Sequence, residues 1–131
     1  MRDGSDCTIA ACGITVKIAL DAADLLQQDG ISCRVVDCFS VKPIDRDLLE
    51  KAARETGTIV TCEEHNIMGG FGSSVSEVVS ESYPVPIRRI GVQDKFGESA
   101  RDNEISQLLE KHGLTPINIT NMVKEARSQK Q

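Results

Sequence analysis

Short apolar runs alternate with segments of helical periodicity along this chain. Runs rich in β-branched and small apolar residues lie at residues 6–12, 31–39, 58–63 and 87–92, with a Gly or Pro close to each. Between the first two, apolar side chains recur every three or four residues from Ile14 to Gln28, and Gly30 follows as a C-cap. Strand–helix–strand units of this length favour parallel pairing. The pattern predicts an α/β fold with a mostly parallel sheet covered on both faces.

Capping residues place the other helices. Asp45 is a good N-cap for a helix through Ala53 that ends near Gly57. A third helix follows a glycine-rich turn, a fourth precedes Gly113, and Thr115 with Pro116 predicts the start of a fifth. The chain is expected to form one domain over residues 1–126, with a frayed tail at 127–131.

Charge and size exclude several classes of function. The 131 residues suffice for one ordinary domain, so a complete active site for a large multi-substrate enzyme is not expected. The net charge is −5 and aromatics make up 3%, which argues against nucleic-acid binding. No apolar run approaches the roughly 18 residues of a membrane span, and the first residues are polar. These features predict a cytoplasmic protein.

Five cysteines occur without any C-x-x-C pair, so a zinc site is not supported. All lie in apolar segments, which predicts buried, unreactive thiols in a reducing compartment. A nucleophile–base arrangement of Cys62 with His65 and Glu63 is conceivable. However, alternation along a strand directs Cys62 and Glu63 to opposite faces, which disfavours a thiol enzyme.

The turn after the third strand is the main candidate site. It runs from the carboxyl end of a strand into a helix N-terminus, where open α/β sheets bind ligands and where free N–H groups favour anions. The candidate ligand or interface residues are Glu64, His65, Asn66, Gly69, Gly70, Gly72 and Ser73. The alternative is that the glycines only permit tight packing, with Glu64 and His65 at a domain or subunit contact.

Other motifs are weaker or missing. The sequence contains neither a G-x-G-x-x-G fingerprint nor a G-x-x-x-x-G-K-[ST] phosphate loop, and no G-x-S-x-G elbow. Asp94, Lys95 and Phe96 form a candidate partner contact, although a cap on the core is the favoured explanation of Phe96. No residue is assigned a catalytic or metal-binding role.

Four stretches of the sequence carry a resemblance to a known family. They are GSDCTIAACG at 4–13, VVDCFSVKPID at 35–45, VTCEEH at 60–65 continuing through GGFGS at 69–73 and VSE at 75–77, and IGVQDKFGES at 90–99. Together they resemble the C-terminal domain of the transketolase family of thiamine-diphosphate enzymes. Deoxyxylulose-phosphate synthase and the beta subunits of 2-oxoacid dehydrogenases share this domain and remain alternatives. The Glu-Glu-His before Gly-Gly-x-Gly is more similar to transketolase.

The resemblance implies a three-layer α/β/α domain with five strands, one of them antiparallel. The fifth strand is expected near Ser40-Val41 or around residues 117–119. The implied reaction transfers two-carbon ketol units between sugar phosphates with thiamine diphosphate and a divalent cation such as Mg²⁺. The family's Gly-Asp-Gly motif for cation binding is absent here, so the cofactor is expected on the thiamine-binding domains or subunit of the same enzyme.

This chain is expected to be non-catalytic, to complete a homo-oligomer and to make dimer contacts. A free-standing anion-binding module is the alternative.

Overall fold

The computed structural model describes residues 2–38, 44–66, 70–92 and 113–130. Within these ranges four strands and four helices follow one another. They are β1 (Cys7–Ala11), α1 (Thr15–Gln28), β2 (Cys33–Asp37), α2 (Arg46–Thr56), β3 (Ile59–Asn66), α3 (Phe71–Ser82), β4 (Ile87–Val92) and α4 (Pro116–Ser128). The helix predicted before Gly113 lies outside the described residues.

The four strands form one parallel sheet in the order β2-β1-β3-β4. Each crossover helix returns the chain to the amino edge of the sheet, so successive strands point the same way. Strand alternation divides the core into two clusters. One cluster contains Cys7, Ile9 and Ala11 against α1 and α4, and the other contains Ala10 against α2 and α3. The predicted α/β/α layering is confirmed.

Local sequence signals explain the helix boundaries. The Asp45 carboxylate accepts a hydrogen bond from Leu48 N–H at 3.0 Å, and Gly57 ends α2 in the left-handed region at φ 75°. Thr115 caps α4 through the N–H of Asn118 at 3.2 Å, with Pro116 in the first turn. Helix α4 continues through Ser128, so its end lies beyond the predicted start of fraying at residue 127.

The described residues contain no fifth strand, and the antiparallel pairing among them is an isolated bridge at the start of the chain. Arg2 and Val35 exchange backbone hydrogen bonds of 3.3 and 2.9 Å across the outer edge of β2. The Arg2 guanidinium also contacts Asp24 and Gln27 on α1, which holds this segment against the domain. The alternative placement of a strand at residues 117–119 is wrong, because those residues form the first turns of α4. The alternative at Ser40-Val41 lies outside the described residues.

Candidate functional site

Strand β3 extends farther than its apolar pattern indicates. It ends at Asn66 rather than Glu63, with a register irregularity between Cys62 and Asn66 and renewed pairing of Asn66 with Val92 on β4. Glu64, His65 and Asn66 therefore occupy the end of a strand instead of a turn. Gly69 and the partner-contact residues Asp94, Lys95 and Phe96 lie outside the described residues.

A buried carboxylate lies beneath the N-terminus of α3. Glu63 is 1% exposed, and its carboxylate accepts hydrogen bonds from the N–H of Phe71 and, at 3.3 Å, from the N–H of Gly72. Free N–H groups and the helix dipole make such a terminus favourable for a negative charge. Here the protein supplies that charge itself, so these two N–H donors are satisfied within the chain.

Glycines let α3 approach the sheet closely at this point. Gly70 precedes α3 in an extended conformation, and a Cβ on Gly72 would lie 2.7 Å from Thr61 Oγ1 and 3.1 Å from Arg89 Cδ. Ser73 Oγ accepts a hydrogen bond of 2.9 Å from the Arg89 guanidinium on β4. The first turn of α3 is thus held against both β3 and β4, which gives Gly72 a packing role.

Side chains of Glu63 and Cys62 point to opposite faces, as alternation predicts. Cys62 belongs to the cluster beneath α1 and α4, whereas the Glu63 carboxylate reaches α3 on the other face. Burial raises the pKa of the Cys62 thiol, and the nearby Cys12 and Glu63 raise it further. A thiol at 0% exposure with a raised pKa is a poor nucleophile at neutral pH, which argues against the thiol-enzyme hypothesis.

The role of Glu63 was not predicted from the sequence. The sequence nevertheless contains a signal for it. An acidic residue at the end of the predicted strand is followed by a helix with glycine at the N-cap, where Ser, Thr, Asp or Asn would supply an acceptor. Such a helix needs another acceptor for its first N–H groups. A carboxylate eight positions earlier supplies it, which local capping rules do not cover.

All five cysteines are free and buried, which confirms the predicted burial. Among the described residues, no group of three or more His, Cys, Asp or Glu side chains is arranged to hold a metal ion. In the same part of the chain, no helix is both long enough and apolar enough to cross a membrane.

This geometry defines a class of protein, a parallel three-layer α/β/α domain whose third strand carries a buried carboxylate that binds the N-terminus of the following helix. A family model described as "Transketolase, C-terminal domain" matches residues 1–119. The chain therefore belongs to the transketolase C-terminal domain family.

Individual relatives share the domain within longer chains. The chain is 45% identical over 126 residues to 1-deoxy-D-xylulose-5-phosphate synthase of Heliobacterium modesticaldum, covering 95% of this chain and 19% of that protein. It is 41% identical over 130 residues to 6-deoxy-6-sulfo-D-fructose transketolase subunit SqwH of a Clostridium species, and the match covers 99% of this chain and 39% of that subunit. A solved structure described as a split gene transketolase, inactive beta4 tetramer, is 48% identical with a TM-score of 0.89. The match covers 99% of this chain and 41% of the chain in that structure. The chain thus spans less than half of each of these relatives.

Proposed function

We propose that this chain acts as the C-terminal domain of a transketolase-type enzyme and contributes to its assembly rather than to its chemistry. The complete enzyme transfers two-carbon ketol units between sugar phosphates. Family membership over residues 1–119 supports this proposal, as does the similarity to a transketolase subunit and to a split gene transketolase.

The single observation that favours an assembly role is that the Glu63 carboxylate of this chain already accepts hydrogen bonds from the first N–H groups of α3. A carboxylate within hydrogen-bond distance of the α3 N-terminus repels a phosphate or diphosphate that approaches the same N–H groups. The N-terminus of α3 therefore presents backbone donors that Glu63 already satisfies, instead of an open anion site. This weakens the support for the free-standing anion-binding module.

The described residues do not form a site suited to Mg²⁺. Mg²⁺ favours octahedral oxygen coordination, and the described part of the chain brings no suitable cluster of acidic side chains together. The cofactor is accordingly assigned to the thiamine-binding domains or subunit, with which this chain pairs in a homo-oligomeric complex. Glu64, His65, Asn66, Gly69, Gly70, Gly72 and Ser73 are proposed to contact that partner, as are Asp94, Lys95 and Phe96.

Reconstitution tests this proposal. The thiamine-binding domains from the same source are assayed for ketol transfer with thiamine diphosphate and Mg²⁺, with and without this chain, and formation of 1-deoxyxylulose 5-phosphate is measured in parallel. We expect ketol transfer only in the mixture. Equal activity without the chain would contradict the assembly role, and synthesis of deoxyxylulose phosphate would favour the synthase alternative.

Separate variants of the two histidines provide a matched test of the proposed interface. His65→Ala is expected to weaken co-purification with the thiamine-binding partner. His112→Ala changes the only other histidine, which is predicted to complement a helix C-terminus, and is expected to leave co-purification unchanged. Co-purification of both variants at wild-type levels would argue against a partner contact at the end of β3.

A further inference from the structure

Two pairs of cysteines face each other across β1 and β2. Cys7 pairs with Cys33 in the strand register. The N–H of Cys38 donates to the carbonyl of Ala11 at 2.8 Å, so the same register continues to Cys12 and Cys38. Because each strand's cysteines are an odd number of residues apart, the two pairs point to opposite faces of the sheet.

The pair at the amino edge has a geometry suited to a disulfide. Neighbouring strands lie about 4.8 Å apart, within the roughly 4.4–6.8 Å between Cα atoms that disulfides span. Cys7 and Cys33 are direct partners in the strand register, and both side chains belong to the cluster beneath α1 and α4. A bond between them requires no slip of the strand register.

Cationic side chains lie near this pair. The neighbouring Cys7 thiol lowers the pKa of Cys33, and Arg127 and Arg2 lower it further, although burial and Asp6 raise it. The Cys33 thiol and burial raise the pKa of Cys7. This arrangement provides an attacking sulfur and a resolving sulfur.

The second pair lacks these advantages. Burial raises the pKa of Cys38 to about 12, and the neighbouring Cys12, Asp37 and Asp45 raise it further. Anionic surroundings keep this thiol protonated, and a protonated thiol attacks peroxides slowly. The second pair therefore serves as an internal comparison within the same molecule.

Access to the first pair depends on the ends of the described chain. Cys7 and Cys33 are 0% and 1% exposed. Near them, Arg127 in the last turn of α4 forms an ion pair with Asp6 at 3.8 Å, and Lys130 donates to the Asp6 carbonyl at 3.1 Å. The last turns of helices open at low free energy, well below that of global unfolding. Brief opening of this cover admits a small oxidant while the sheet stays folded.

We propose that Cys7 and Cys33 form a redox-active dithiol site that small peroxides convert reversibly to an intrachain disulfide. The Cys33 thiolate attacks one peroxide oxygen, which gives a sulfenic acid at Cys33 and, after protonation, releases one product molecule, water in the case of hydrogen peroxide. The Cys7 sulfur then attacks the sulfenic sulfur, the S–S bond forms, and a second product molecule, water, leaves with the Cys7 proton. Hydrogen peroxide gains the two electrons that the thiols lose. This inference does not depend on the proposed function.

Peptide mapping of the whole chain tests the proposal. The native protein is treated with low concentrations of hydrogen peroxide, alkylated in denaturant and digested with trypsin without reduction. Before alkylation, the mass of the intact protein should be lower by about 2 Da, one hydrogen from each thiol. Dithiothreitol should restore the original mass. The linked peptides should be residues 3–17 and 18–34, with fragment ions that place the bond at Cys7. A link from residues 3–17 to 35–46 would instead identify Cys12–Cys38, and its earlier formation would overturn the proposal.

Variants separate the two pairs. Cys33→Ala should abolish the oxidised product, whereas Cys38→Ala should form it at the wild-type rate. A product that appears only in denaturant, or that persists in Cys33→Ala, contradicts a site in the native fold. If an alanine variant does not fold, the peptide map of the wild-type chain still decides between the pairs.

Discussion

Replacing Glu63 with glutamine tests how the α3 N-terminus is held. The substitution keeps the size of the side chain but removes its charge, and only one amide oxygen remains to accept hydrogen bonds from Phe71 and Gly72. A hydrogen bond to a charged group contributes about 1.5–3 kcal/mol, and a charge at a partly buried helix terminus adds up to about 2 kcal/mol. Loss of one bond and of the charge should lower the free energy of unfolding by roughly 2–4 kcal/mol.

Such a loss is a large share of the roughly 5–15 kcal/mol that stabilises an ordinary domain. With a urea dependence of about 2 kcal/mol per molar, the midpoint of unfolding followed by circular dichroism should fall by roughly 1–2 M. Glu77→Gln is the control, because Glu77 lies exposed on the same helix. That control should change stability by less than about 0.5 kcal/mol. A Glu63→Gln midpoint equal to that of the control would refute the capping argument.

Three further predictions concern other parts of the domain. Gly72→Ala places a methyl group 2.7 Å from Thr61 Oγ1 and should destabilise the fold by about 1–3 kcal/mol in urea titrations, with partial recovery in a double variant that also carries Thr61→Ala. Asp45→Ala removes the acceptor for Leu48 N–H and should reduce the free energy of unfolding by about 1 kcal/mol, with Asp47→Ala, in the same turn, as the comparison. Because the folded-state pKa of Cys38 is raised from 9.0 to about 12, the stability linked to its proton is intact below pH 9 and lost as the pH rises toward 12. Urea midpoints measured from pH 8 to 11 should fall, and a flat profile would contradict this linkage.

The periodicity of apolar residues predicted the α/β/α layers, because burial on both faces of the sheet requires apolar strands and helices with one apolar face. The segment around Ile9 and the helix through Ala23 carry patterns that only a covered parallel sheet satisfies. The end of β3 was misplaced because Glu64, His65 and Asn66 are polar, whereas pairing with β4 continues through the backbone. Backbone pairing leaves no signal in side-chain polarity.

The single antiparallel contact at Arg2 and the Glu63 cap could not be predicted for a related reason. One bridging residue has no periodicity, and the guanidinium contacts that hold it come from residues more than twenty positions away. The Glu63 carboxylate likewise meets its donors only after β3 and α3 have packed. Local rules describe neighbours in sequence, and both features are produced by tertiary packing.

The contacts of Asp6 with Arg127 and Lys130 bring the beginning and the end of the described chain together at the amino edge of the sheet. The N-terminus of α3 lies at the opposite, carboxyl edge, where β3 ends. A label, a surface tether or a fused protein attached at either end would therefore leave this edge of the sheet accessible. A circularly permuted chain could also join these ends with a short linker and open elsewhere.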